Sequence, residues 1–217
     1  VNRAFRSGRR KLAACSSSDP SASPAQSAGG DTGTQGGQDS YTIGVCQQMQ
    51  HEALDAATQG FQDALKEKLG DQVEIKVENA SGDSNNCNTI VGSFVSNGVD
   101  LIMANGTTAL QAAASATEDI PILGTSITEY GVALGIDGFT GTTGYNVSGT
   151  SDLAPLDQQA EMLHTWFPDA QTVGLLYCSA EPNSQYQVDT VQGYLEDLGY
   201  TCTQYSFSDS NDLSAVA

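Results

Sequence analysis

From Tyr41 onward the apolar positions follow two alternating rhythms. Tyr41–Cys46 (YTIGVC) is a short β-branched run and predicts a strand. Leu54–Leu69 places Leu54, Ala57, Phe61, Ala64 and Leu65 on one helical face, with Gly70 as its stop. Val73–Val77 alternates as a second strand. Thr89–Ser96 (TIVGSFVS) predicts a helix with Ile90, Val91, Phe94 and Val95 on one side, closed by Asn97-Gly98. Asp100–Ala104 reads as a strand, Ala109–Thr117 as an Ala-rich helix and Ile120–Leu123 as a fourth strand. Strand–helix alternation with short connections implies a parallel sheet covered by helices on both faces. Short, apolar strands suit such burial.

A Gly- and Thr-rich stretch over 131–150 reads as a crossover, after which a second unit begins. Ala154–Phe167 predicts a helix, Thr172–Tyr177 a strand, Ser184–Leu198 a helix and Tyr200–Phe207 a strand, with a further helix starting near Leu213. Two parallel strands leave an open edge and make a poor core. The second unit is therefore expected to be incomplete within this chain.

Before Tyr41 the pattern is absent. Residues 16–40 (SSSDPSASPAQSAGGDTGTQGGQDS) contain no large apolar side chain and are expected to form a flexible tether, because they bury too little surface to offset the entropy of ordering. Ahead of them, a basic stretch ends in Leu12-Ala13-Ala14-Cys15. That tetrapeptide resembles the lipobox of bacterial lipoproteins, which implies a lipid on Cys15. A chance L-A-A-C is the alternative, and the apolar region of an export signal does not precede it. The expected organisation is a signal remnant over 1–15, a tether over 16–40, a first α/β lobe over 41–148 and the start of a second over 149–217.

Charge narrows the function. From Ser16 onward there are 26 acidic residues against three lysines (Lys66, Lys68, Lys76), a net of −23. Such a surface repels phosphate backbones and disfavours nucleic acid or a polyanionic substrate. No run approaches the roughly 18 apolar residues of a membrane span. The five cysteines form no C-x-x-C pair and there are two histidines, so zinc-type spacing is absent and no metal is expected. No glycine-rich dinucleotide or phosphate loop and no G-x-S-x-G elbow occurs, so neither a cofactor nor catalysis is expected. A pairing of Ser126 or Cys178 with His51 is the one enzymatic combination on offer. His164, inside a helix, reads as a surface or packing histidine. In open α/β sheets ligands bind at the C-terminal strand ends. Four loops qualify: Gln47–Asp55, Asn105–Leu110, Thr125–Tyr130 and Cys178–Ser184.

Several blocks carry a resemblance in the right order: IGVCQQMQHEALDAATQGFQDAL, ENASGDSNN, VDLIMANGTTALQAAASATEDIPILGTSITE, GTSDLAP and VGLLYCSAEPNS. From about Tyr41 to Ala217 the chain resembles the solute-binding lipoproteins of ABC importers, most of all the tryptophan/tyrosine-type, TrpX-like group. The resemblance implies a periplasmic-binding-protein-like fold of two lobes joined by hinge strands, with an amino acid held in the cleft. It also implies an extracytoplasmic, lipid-anchored location and an ABC permease as partner. The family's Q-x-x-x-H-x-x-L-D loop corresponds to Gln47–Asp55, which places Gln48, Met49 and His51 at the cleft rim. His51 could equally cap its own helix. The A-T-P-A-A-Q loop corresponds to Asn105, Gly106, Thr107, Thr108, Ala109, Leu110 and Gln111, with Thr108 in place of proline; there Thr107 or Thr108 could cap a helix whose free N–H groups suit a carboxylate. The T-D-P segment corresponds to Thr128-Glu129-Tyr130, preceded by Thr125 and Ser126; Tyr130 could stack on an aromatic solute or merely cover the loop. Asp152 of Ser151-Asp152 is the candidate for a ligand ammonium, or else a helix cap. Ser179, Glu181 and Asn183 would close from the second lobe.

The same two-lobe fold serves ligand-sensing domains, so a signalling or regulatory role is the alternative function. Cys46 and Cys87, near strand ends of the first lobe, could pair as a disulfide, whereas Cys178 and Cys202 lie at opposite ends of neighbouring strands.

Overall fold

In a computed structural model the described residues are 40–208 and 212–216. The expected lipid site at Cys15 and nearly all of the tether lie outside them. Five parallel strands form the first sheet: β1 (Tyr41–Gln47), β2 (Val73–Asn79), β3 (Leu101–Asn105), β4 (Ile122–Ile127) and β5 (Val147–Ser151), in the order β2-β1-β3-β4-β5. The connecting helices are α1 (Glu52–Leu69), α2 (Ser84–Ser96), α3 (Thr107–Ala116) and the short α4 (Tyr130–Leu134). A second, two-stranded parallel sheet pairs β6 (Thr172–Cys178) with β7 (Thr201–Phe207), alongside α5 (Leu156–Trp166), α6 (Pro182–Asp197) and the one-turn α7 (Leu213–Val216).

The first three strands fall where the hydrophobic pattern puts them, and the fourth runs Ile122–Ile127 rather than Ile120–Leu123, so Thr125 and Ser126 belong to the strand and not to the loop after it. Two elements correct the reading of 131–150 as a bare crossover, which instead contains most of α4 and nearly all of β5. In β5 only Val147 is buried and the next four residues are exposed, so no apolar period marks the strand. Helix α2 begins at Ser84, not Thr89, because the Asp83 carboxylate accepts hydrogen bonds from the Asn85 and Asn86 amides and so starts the helix on polar residues.

One face of the first sheet packs on α2 and α3 through Cys46, Ile102, Ala104, Ile122, Val91, Phe94 and Leu110, all buried. Gly44 of β1 is required there: a Cβ would sit 2.5 Å from the Phe94 ring. Beneath α1, on the other face, lies a polar network. The Thr58 hydroxyl donates to Gln47 Oε1 (2.7 Å), and Asn105 Nδ2 donates to Thr58 Oγ1 (2.9 Å) and the Leu54 carbonyl (2.8 Å). Gln47 Nε2 donates to Asp55 Oδ1 (2.6 Å). These bonds fix the start of α1 over the C-terminal ends of β1 and β3.

The second unit is thinner. Ala160, Leu195 and Tyr200 form its core, with Leu163, Val173, Leu175, Val191 and Cys202 packed around them. His164 is an exposed histidine whose ring meets Tyr200 edge-on, its Nδ1 3.0 Å from the Tyr200 hydroxyl. Cys178 pairs in register with Phe207 and Cys202 with Val173, at opposite ends of the ladder.

Candidate functional site

Gln47, Asn105 and Thr125 stand side by side in the register of β1, β3 and β4. The loops that leave these strands are zipped together: the Gln48 amide donates to the Asn105 carbonyl (2.9 Å) and the Gly106 amide to the Thr125 carbonyl (3.0 Å). Three of the four segments expected to line a cleft are thus adjacent at the C-terminal end of the first sheet.

Gly106 shapes the site. Its φ of 107° is a backbone conformation glycine adopts freely, and a Cβ there would lie 2.6 Å from Gln48 Oε1. The Gln48 side chain therefore crosses the start of α3, and its Oε1 accepts the Thr108 amide at 3.0 Å. This corrects the expectation that Thr107 or Thr108 caps α3. Gly106 is the cap residue, it supplies no side-chain bond, and Thr107 is buried. The capping oxygen comes from Gln48, sixty residues away in the chain.

The other end of the same carboxamide reaches the second unit. Gln48 Nε2 lies 3.3 Å from Glu181 Oε1, and Ser184 Oγ lies 3.4 Å from Glu181 Oε2. Glu181 precedes α6 without capping it through its side chain, so its carboxylate is turned towards Gln48. An N–H donor on one unit and an acid on the other thus face each other across one amide group.

The remaining site candidates divide. His51 caps α1, its Nδ1 accepting the Ala53 amide at 3.2 Å, which is the capping alternative. Met49 is exposed, 3.7 Å from where a Cβ on Gly82 would stand. Ser126, half-buried at the end of β4, is held at φ 56° where β4 and β5 shift register, a strained setting for a non-glycine residue. Thr125 is half-buried, and Thr128 is buried with its carbonyl accepting the Ser151 hydroxyl (2.7 Å). Asp152 does not cap α5, whose cap residue is Pro155, and its carboxylate is exposed. Ser179 spends its amide (2.8 Å) and hydroxyl (3.2 Å) on the Phe207 carbonyl. Asn183 is half-buried in the first turn of α6.

Two expected site residues are turned elsewhere. Asn105 is fully buried and its amide points under α1, with Oδ1 unpartnered. Tyr130 is 7% exposed, with its hydroxyl 3.0 Å from the Gly124 carbonyl and 3.2 Å from that of Thr150. It covers its own loop and ties β4 to β5 rather than offering a face to a ligand. Burial, with the Asp152 charge nearby, pushes the Tyr130 phenol up to about 12. Gly149 makes this possible: a Cβ there would meet the Gly124 carbonyl at 2.1 Å and the Tyr130 hydroxyl at 2.2 Å. The glycines of the 131–150 stretch were the available signal for this close approach. The Gln47–Thr58–Asn105 network had none, since polar residues at these positions read equally as surface.

Among the described residues, no cluster of three or more His, Cys, Asp or Glu side chains is placed to hold a metal, and no helix is long and apolar enough to cross a membrane.

Residues 42–217 match the family model described as ABC transporter substrate binding protein. A tyrosine-binding protein of Clostridioides difficile (strain R20291) is 37% identical over 175 residues, which is 79% of this chain and 50% of that protein. The chain thus spans about half the length of this curated relative. A crystal structure from Streptococcus pneumonia, described as an ABC domain in complex with L-Trp, is 35% identical with a TM-score of 0.76, covering 82% of this chain and 60% of that one. The ligand-free, open structure of a substrate binding protein with adhesive properties from Clostridium difficile is 36% identical with a TM-score of 0.60, covering 81% and 60%. At nearly equal identity the superposition is better on the L-Trp complex than on the open form. With the fold of two parallel α/β units and a family match across four fifths of its length, the chain belongs to the ABC transporter substrate binding protein family.

Proposed function

We propose that the protein is the extracytoplasmic, lipid-anchored receptor of an ABC importer, and that it captures an amino acid, tyrosine or tryptophan first among them, between its two α/β units. The observation that carries this reading is the polarity of the cleft. On one side the amide of Thr108, at the start of α3, donates to Gln48 Oε1; on the other the Glu181 carboxylate meets Gln48 Nε2, and the Asp152 carboxylate is exposed just after β5. A zwitterionic solute needs N–H donors for its carboxylate and an acid for its ammonium, and this arrangement offers both. The bound solutes named for the two relatives, tyrosine and L-Trp, support an aromatic side chain.

The domain plan supports the location. A cysteine at position 15, a polar tract over 16–40 and a folded body from Tyr41 form an anchor, a tether and a receptor. Family membership supports delivery of the solute to a permease. No step of bond making or breaking is needed: the solute is held by lobe closure and released when the lobes part.

The test is a thermal-shift panel of the twenty amino acids on the intact protein. A solute at 100 times its Kd adds about 2.7 kcal/mol of stability. A shift confined to tyrosine, tryptophan or phenylalanine is the expected result; no shift with any amino acid sinks the solute assignment. In the producing cell, Cys15→Ala is expected to release the protein from the membrane fraction, and unchanged fractionation removes the anchor.

A further inference from the structure

We infer that the Gln48 side chain is a displaceable latch: it ties the two units together, and an incoming amino acid must take its place. Three observations combine. The carboxamide has the polarity of an amino-acid head group, an oxygen that accepts and a nitrogen that donates. Its oxygen takes the Thr108 amide at 3.0 Å, and its nitrogen lies 3.3 Å from the Glu181 carboxylate. Gly106 leaves room for that side chain, since a Cβ there would lie 2.8 Å from Gln48 Cβ.

The consequence follows from competition. The donor at Thr108 and the acid at Glu181 are the groups a zwitterion would use, and Gln48 already uses both. Binding exchanges one set of hydrogen bonds for another, so the latch lowers apparent affinity while fixing the arrangement of the units. The carboxylate of a solute makes a charge-assisted bond to the Thr108 amide, and its ammonium does the same with Glu181. Each is stronger than its neutral-amide counterpart, so the solute wins the exchange. The latch also discriminates. A compound with one of the two charged ends replaces half of what Gln48 supplies and leaves the other partner unsatisfied.

This inference rests on the amino-acid reading of the cleft, and the experiment separates the two. Amide hydrogen exchange at Thr108 and small-angle scattering are measured on the intact protein without solute, for wild type, Gln48→Leu and Glu181→Ala. Gln48→Leu is expected to expose the Thr108 amide and raise its exchange rate about tenfold, the size of one lost hydrogen bond. Both variants are expected to open the units and enlarge the radius of gyration. Glu181→Ala leaves the Thr108 bond in place, so its exchange stays near wild type. Calorimetric titration with tyrosine and tryptophan is expected to show tighter binding to Gln48→Leu than to wild type, by about tenfold. Unchanged Thr108 exchange in a folded Gln48→Leu, or weaker binding by it, overturns the latch. If no variant binds an amino acid, the cleft reading fails while exchange and scattering still decide the latch.

Discussion

The two sheets solve the same packing problem to different degrees. In the first, β1 and β3 are flanked by neighbours on both edges and by helices on both faces, and Val45, Cys46, Ile102 and Ala104 lose all contact with solvent. In the second, β6 and β7 are covered on one face. Leu176 and Tyr205, paired in register on the other, are 47% and 45% exposed. Parallel sheets are ordinarily buried on both faces. Among the described residues, the first unit therefore has a broad core of its own, whereas the second buries few side chains and is tied to the first by bonds such as Gln48–Glu181.

Core truncations test that difference most severely. Phe94→Ala removes the ring that fills the space above Gly44 and is expected to cost about 4 kcal/mol. Leu176→Ala, on the bare face of β6, is expected to cost no more than about 0.5 kcal/mol. Urea unfolding of both variants decides it; equal losses would mean that the second sheet is covered in solution and that the contrast is false.

The cysteines compare the units a second way. Cys46 and Cys87 are buried in the first core as free thiols and not as the disulfide that their positions allowed, and a hydrogen bond with the Cys87 thiol, followed by burial, pushes Cys46 far above the ordinary thiol range. Cys178 and Cys202 are half-exposed, although burial still raises Cys202. Reduced protein treated with an alkylating reagent is expected to label Cys178 and Cys202 at least about a hundredfold faster than the first pair, because Cys46 and Cys87 wait for an opening of the core. Peptide mapping of the time course reads the rates. Comparable rates would place the first core at the same local stability as the second.

Legibility in the sequence follows the same division of forces. Strands β1, β3 and β4 and helices α2 and α3 could be read because each contributes an apolar face to one core, whereas β2 and α1 showed only through the period of half-buried apolar positions. Strand β5 could not, because it is held by backbone pairing and by the Gly124–Gly149 approach, and neither leaves a hydrophobic period. At the site, loop positions followed from the strand ends, but side-chain directions did not. Asn105 and Gln48 are both polar residues at the end of a strand or just beyond it, and only the packing of α1 over Thr58 turns one inward and leaves the other to reach Glu181. Tyr130 looked equally suited to stacking or covering, and two backbone carbonyls decided it.

The smallest effect concerns that tyrosine, which sits at the link between the units. Its phenol is raised from 10.0 to about 12, by burial first and by the Asp152 charge second. The folded state therefore resists ionisation that the unfolded chain undergoes freely. The stability this contributes is fully present below pH 10, and it is lost as the pH climbs from 10 towards 12. Tyr130→Phe keeps the ring, removes the hydroxyl from the Gly124 and Thr150 carbonyls, and is expected to cost about 1 kcal/mol at neutral pH. The difference between wild type and variant should then shrink over that alkaline interval, since only the wild type still has a phenol at this position to ionise. Urea midpoints of both proteins from pH 8 to 12 measure it. A gap that stays constant with pH would show that the hydroxyl is solvated, and that β4 and β5 are joined by their backbones alone.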